Sequence, residues 1–280
     1  MTAPRCRSRS SIHKVQTVHI QLCGRMSITG PHSVVDQREL SGIVGRQILA
    51  MLALSNGPIG RYELVDMIWH GQPTKAVDST MNATLSRLRA AIAASGGDPG
   101  TITSDQGLVE LIGHRFTTDF GYAVTAIDRT VSLLQSGEYE RAWGQAATTY
   151  SVATRRLLPG VENTWVDHRR DQMRHMISRA LAVVVMAAMG RQRPHDAIFA
   201  ARELVRHDPH SDRGIQLLVA TLLAVGDRGA SRAAVHDWAI RLQSELGVLP
   251  DDHSMMSLDA AISRRSDGVT DIARLIPLAL

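Results

Sequence analysis

The stretch DSTMNATLSRLRAAIAA, Asp78 to Ala94, decides how this sequence folds. Met81, Leu85, Leu88 and Ile92 recur at i, i+4, i+7 and i+11, the spacing of a narrow apolar stripe along one helical face. At about 100° per residue the opposite face is Ser79, Ala83, Ser86 and Ala90. Thr80 and Arg87 flank it on one side, Asn82 and Arg89 on the other. A helix that only meets solvent commonly carries long charged pairs, whereas one that enters a major groove needs short side chains for close approach and Arg or Asn for base edges and phosphates. Taken alone, the pattern leaves both readings open, a groove-reading helix or an ordinary amphipathic helix with a small polar surface.

The neighbouring segments supply the context. After Gly96-Gly97-Asp98-Pro99-Gly100, Thr101 to Ser104 and Leu108 to Ile112 flank Asp105-Gln106-Gly107, which predicts a hairpin with Gly107 in the left-handed position. Before it, a helix over about Arg61 to Trp69 buries Leu64, Val65, Ile68 and Trp69 and stops at Gly71-Gln72-Pro73. An earlier helix aligns Leu40, Val44, Ile48, Met51 and Leu52 and ends at Asn56-Gly57-Pro58. Val18, Ile20 and Leu22 alternate with Thr17, His19 and Gln21, the period of a strand with one buried face. Met26 to Thr29 and Ser33 to Val35 add two short strands of an antiparallel sheet. Three helices followed by a hairpin is a winged-helix layout.

From Ala123 onward the pattern is helical and carries a degenerate repeat. Gly137 with Ala142, Gly190 with Ala197, and Gly226 with Ala233-Ala234 each place a small residue in the second helix of a pair. Ala197, Ala201, Leu204 and Pro209 are spaced like the second helix and closing proline of a tetratricopeptide repeat. Trp143, Trp165 and Trp238 are expected to pack between repeat helices.

Composition narrows the function classes. With 44% hydrophobic and 21% charged residues in 280 the chain is globular, and 4% aromatic content favours helical packing over a strand-rich sandwich. The longest apolar run, Ala180 to Met189, is about half of a bilayer span, so no membrane span is expected. Two cysteines, Cys6 and Cys23, form no disulfide framework and fit a reducing cytoplasm. The net charge of +4 resides in Arg5, Arg7, Arg9 and Lys14, which leaves 27 basic and 27 acidic side chains in the rest. Residues 15–120 hold 8 basic and 9 acidic side chains, so any nucleic-acid binding rests on placement and not on bulk charge.

Colinear with this layout, Arg46-Gln47-Ile48-Leu49-Ala50-Met51-Leu52-Ala53-Leu54, Glu63-Leu64-Val65-Asp66-Met67-Ile68-Trp69 and Thr84-Leu85-Ser86-Arg87-Leu88-Arg89 resemble the SARP family of bacterial transcriptional activators. In the second half Leu157-Leu158-Pro159-Gly160, Trp165 and Glu245-Leu246-Gly247-Val248-Leu249-Pro250 continue the resemblance, which spans about residues 15–262. It implies a mainly α fold with an α+β amino-terminal domain, a winged helix-turn-helix followed by a tetratricopeptide-like repeat domain. It implies as partners double-stranded DNA with tandem direct repeats and RNA polymerase holoenzyme, with head-to-tail self-association on DNA, at promoters of secondary-metabolite genes in the cytoplasm. Carried over by position, Thr80, Asn82, Ala83, Ser86 and Arg87 would face bases or nearby phosphates, while Ser79, Arg89 and Arg46 would position the backbone. Two departures stand out: the wing has Leu108 after its glycine, between Asp105 and Glu110, where the family carries an aromatic and basic residues, and Gly60 replaces the usual Ser or Thr cap of the second helix.

The expected division is a basic tail over 1–14, the winged helix over 15–118, a linker over 119–123, the activation domain over 124–262 and a tail over 263–280. With no receiver segment in front, phosphorylation control is not expected. An enzyme fits poorly. Lys14 and Lys75 are the chain's lysines and neither follows glycine, so a phosphate-binding loop is missing, and no nucleophile elbow or paired-histidine zinc helix occurs. His207-Asp208-Pro209-His210-Ser211-Asp212 reads as an inter-repeat turn and helix cap rather than a metal site, and no cofactor is expected. The competing function is a repeat module that binds a protein or ligand and whose winged helix has lost DNA binding.

Overall fold

The computed structural model describes residues 17–55, 57–69 and 75–263. The basic tail with Cys6, the stop at Asn56, the helix end at Gly71-Gln72-Pro73 and the tail over 264–280 lie outside the described residues. Two compact units separate between Asp119 and Phe120, and Leu158–Val161 counts with the first.

The first unit runs β1 Val18–Gln21, β2 Ser27–Thr29, β3 Val34–Asp36, α1 Gly42–Leu54, β4 Ile59–Gly60, α2 Arg61–Trp69, α3 Lys75–Ser95, β5 Ile102–Asp105, β6 Leu108–Leu111 and β7 Phe116–Thr118. Its larger sheet has the order β3-β2-β1-β7. The alternation in β1 is observed, with Val18, Ile20 and Leu22 fully buried. β1 pairs antiparallel with β2, Ile20 opposite Ile28, but parallel with β7, Val18 opposite Phe116. The sheet is therefore mixed, where sequence periodicity predicts an antiparallel one. Phe116-Thr117-Thr118 has no alternation to announce a strand, and only its partner about a hundred residues earlier makes it one. Just beyond β7 the buried carboxylate of Asp119 accepts the N–H groups of Leu22 and Cys23 at 2.8 and 3.1 Å, satisfying main-chain donors at the end of β1.

The smaller sheet, β4-β6-β5, is the wing. Gln106 and Gly107 have φ of 47° and 80°, the two left-handed residues of a tight hairpin turn. α3 starts three residues before the sequence-based boundary and buries Met81, Leu85, Leu88 and Ile92 as its spacing requires. On α2 only Leu64 and Val65 are buried, and Ile68 and Trp69, expected inside, are half-buried.

The second unit holds α4 Asp119–Gln135, α5 Tyr139–Ala153, α6 Thr164–Gly190, α7 Pro194–His207, α8 Asp212–Ala224, α9 Arg228–Arg241 and α10 Asp252–Ser263, with a π-helical turn over Leu242–Leu246. Asp119 to Tyr122, read from sequence as a joining segment, is the first turn of α4. Consecutive helices from α5 to α9 pack against one another. Ile127, Leu134, Ala142, Ala146, Ala180, Val183 and Ala187 of α4, α5 and α6 form one buried cluster. α6 is 27 residues long and apolar enough to cross a membrane by length and composition, yet over half of its most apolar window is buried in the helical stack.

Three turns share one chemistry. The N–H of Gly137, Gln192 and Gly226 donates three residues back, and the following residue's N–H donates five back, at 2.8–3.1 Å. Each of the three residues has positive φ, so each turn is a Schellman cap. Five residues on lie the buried small residues Ala142, Ala197 and Ser231. This corrects the sequence-based repeat in two places. The cap between α6 and α7 is Gln192, at φ 57°, and not Gly190, which brings the last two caps to 34 residues apart, the tetratricopeptide period. Ala233 is exposed, and Ser231 takes the close-packing position. Gly190 is glycine for another reason: a Cβ there would lie 2.5 Å from the Tyr139 ring.

At the carboxyl-terminal side Asp251 accepts the Ser254 N–H at 2.9 Å and caps α10, while the Ser254 hydroxyl donates to Asp212 at 3.2 Å. Burial, with the Asp251 charge adding to it, pushes the Asp212 carboxyl above the usual range, and the Ser254 hydroxyl bond opposes that shift. Bonds from Ser254 hold Asp251 below the usual range.

Candidate nucleic-acid interface

The winged-helix unit presents α3 with two unlike flanks. Its outermost residues, Ser79, Ala83, Ser86 and Ala90, are all exposed. All four carry no more than a hydroxymethyl or methyl group, so a groove wall can come close to the helix backbone. On one flank, among the described residues, Thr80 and Arg87 bond only backward into their own helix, the Thr80 hydroxyl to the Ala76 carbonyl at 2.9 Å and the Arg87 Nε–H to the Ala83 carbonyl at 3.2 Å. The far end of the exposed Arg87 guanidinium is thus turned to solvent in the free protein. Its fork of N–H donors suits guanine or phosphate.

The other flank is tied down. Arg89 is half-buried and its Nε–H donates to the Ile102 carbonyl of β5 at 2.9 Å, which links α3 to the wing. Asn82 is exposed, but its Oδ1 accepts from Arg61 Nη2 at 3.0 Å. The same guanidinium nitrogen lies 3.6 Å from Asp78 Oδ1. Arg46 sits half-buried on α1 with its Nε–H on the Gly42 carbonyl at 3.3 Å, away from any bond to α3.

Arg61 is the residue that sequence reasoning missed. Helical periodicity assigns it only to the start of α2, and its partners lie 17 and 21 residues away. Its main-chain N–H also donates to the Gly107 carbonyl of the wing turn at 2.9 Å. That bond satisfies one orphan donor of the helix start, next to Gly60 where a capping hydroxyl is usual. The wing tip is acidic and apolar as its sequence implies, with Asp105 exposed and Leu108 46% exposed.

In the helical unit a cavity of about 410 Å³ is lined by arginines, among them Arg155, Arg156 and Arg170. Its cations are largely neutralised in place. Arg156 pairs with Glu162 at 2.6 Å, and Arg170 pairs with Glu162 and Asp167 at 3.0 Å while also donating to the Leu157 carbonyl. Trp238 is buried and Trp165 is half-buried beneath the Arg169 guanidinium at 5.8 Å, whereas Trp143, expected between helices, is 40% exposed beneath the Arg191 guanidinium at 5.9 Å. Ser211 caps α8 through the Gly214 N–H at 3.1 Å, in keeping with the turn read from His207 to Asp212. Among the described residues no three His, Cys, Asp or Glu side chains come together as a metal site.

Residues 118–263 match the sequence profile of the bacterial transcriptional activator domain. No curated protein matches the sequence. Among solved structures, Mycobacterium tuberculosis EmbR, in complex with a low affinity phosphopeptide, is similar at a TM-score of 0.77 and 19% identity, over 88% of this chain and 65% of that one. This chain thus spans less than two thirds of the EmbR structure, and the likeness is one of fold. The C-terminal TPR-containing domain of a Plasmodium falciparum FK506-binding protein reaches a TM-score of 0.38 at 8% identity, over 51% of this chain and 88% of that one.

Proposed function

Because the chain belongs to the bacterial transcriptional activator domain family and has the architecture of a SARP-type transcriptional activator, we propose that its winged helix reads promoter DNA through α3 and that its helical repeats recruit RNA polymerase holoenzyme. The observation that supports this best is the pair of unlike flanks on α3. A helix held on one side by Arg61 and Arg89, with a flat row of Ser and Ala outermost and a donor-rich guanidinium on its open side, is preorganised for a groove. In this reading Thr80, Asn82, Ala83, Ser86 and Arg87 lie against base edges and nearby phosphates, with Ser79 and Arg89 on the backbone. Arg46 holds the backbone. The acidic wing stays clear of the minor groove, so sequence is read in the major groove alone.

The proposal extends to assembly and setting. Protomers bind tandem direct repeats head to tail, about one helical turn apart, because direct repeats present the same strand polarity to each copy and demand a heterologous contact. The setting is the cytoplasm and the controlled genes are a secondary-metabolite cluster. Footprinting of purified protein on promoter fragments from its own genomic neighbourhood, followed by transcription in vitro with holoenzyme, tests it. Protection of paired direct repeats and a rise in transcript are expected. Failure to discriminate any promoter fragment from random duplex would promote the module without DNA binding, a reading that the acidic wing and balanced charge favour.

A further inference from the structure

The Arg61–Asn82 contact bears on which base α3 selects. A guanidinium has only donors, so the amide of Asn82 must turn its oxygen toward Arg61, and the 3.0 Å contact to Nη2 is made by Oδ1. The orientation of the amide is thereby fixed by chemistry. Its Nδ2 group faces away from Arg61 with two N–H donors. Asp78, one turn earlier on the same flank, draws on the same guanidinium and holds it in place, and the Arg61 main chain is anchored on Gly107. Arg61 is only 20% exposed and its position is set from three directions.

We propose that Arg61 is a specificity-determining positioning residue: by holding its guanidinium on the Asn82 carbonyl oxygen it turns the amide donors into the favoured reading group, so that Asn82 selects guanine over adenine. An asparagine reads adenine bidentately by accepting from N6 while donating to N7; here Arg61 takes one of the two lone pairs of the accepting oxygen and sets a cation beside it, which disfavours the approach of the N6 donor. Guanine offers two acceptors, O6 and N7, to the remaining amide donors. This inference rests on the reading that α3 enters the major groove.

The test is binding-site selection from a randomised duplex library with the full chain, in wild type and in variants. Asn82→Ala identifies the base position that depends on this residue. At that position wild type is expected to select guanine. Arg61→Met, which frees the oxygen, is expected to move the adenine-to-guanine ratio toward adenine by about tenfold, within the range of one bidentate contact. Arg61→Lys, still a donor, keeps guanine. Asn82→Asp leaves the Arg61 contact intact and replaces both donors by an acceptor, so it should turn selection toward cytosine, whose N4 donates. That variant keeps the inference open to refutation even where Arg61→Met fails to fold.

Wild type selecting adenine at the Asn82-dependent position, or Asn82→Asp retaining guanine, overturns the inference while leaving DNA reading by α3 intact. An unchanged preference in folded Arg61→Met does the same. A wild-type chain that enriches no sequence overturns both.

Discussion

Arg87 and Arg89 lie two residues apart on α3 with opposite surroundings, so replacing each by alanine separates reading from support. Arg87 is exposed and, among the described residues, bonds only to its own helix, at Ala83. Alanine is at least as good a helix former, so Arg87→Ala should change folding stability by no more than a few tenths of a kcal/mol, roughly. On operator DNA the loss is that of one bidentate arginine, about 1–3 kcal/mol or roughly 5- to 150-fold in Kd. On random duplex it is at most one phosphate contact. Arg89→Ala removes the bond to Ile102 and leaves a carbonyl with less support, about 1 kcal/mol, or roughly 5 °C in Tm for a domain of this size. It should weaken operator and random binding together, through the altered seat of α3. Leu88→Ala, fully buried between the two arginines, is the fold control at about 2–5 kcal/mol. Fluorescence-anisotropy titrations at one fixed salt concentration, on operator and random duplex, together with thermal melts, read all of these quantities. If Arg87→Ala leaves the operator-to-random ratio at its wild-type value, the solvent face of α3 is not the reading surface.

Three further outcomes follow from the packing. Gly190→Ala drives a methyl group to 2.5 Å from the Tyr139 ring, and should lower stability by about 1–3 kcal/mol in a denaturant melt; an unchanged midpoint would mean that the Tyr139 ring yields without cost and refute the close-packing argument. Asp119→Asn replaces one carboxylate oxygen that faces the Leu22 and Cys23 N–H groups by an amide donor, and should cost about 1–3 kcal/mol, visible as faster amide exchange at Leu22 and Cys23. Asp212 titrates above its unfolded value, so its charge is a burden on the folded state that lasts above the raised pKa and is relieved as pH falls through it. Asp212→Asn should therefore raise Tm at pH 7, and the gain should vanish toward pH 4; a lower Tm at pH 7 would show that the favourable charge at the start of α8 outweighs burial.

Sequence alone determined the elements whose pattern is local. The i, i+4, i+7, i+11 stripe of α3 and the alternation of Val18, Ile20 and Leu22 are statements about which side of a helix or strand is apolar, and burial follows from solvent exclusion with no need of a partner's identity. The tetratricopeptide-like character of the second half was legible in the same way. Tertiary structure decided what depends on residues far apart in the chain. Gln192 takes the left-handed cap because the packing of α6 and α7 demands a turn there, at a conformational cost that no residue preference announces, while Gly190, the apparent signal, answers to the Tyr139 ring. β7 is a strand only because β1 offers it a parallel edge. Arg89 and Asn82 look alike from the sequence, both flanking a small face, and differ from Arg87 because β5 and α2 approach one side of α3 and not the other. Periodicity fixes the angle of a side chain about its helix, whereas the hydrogen bond it makes depends on what the rest of the fold brings within about 3 Å of it.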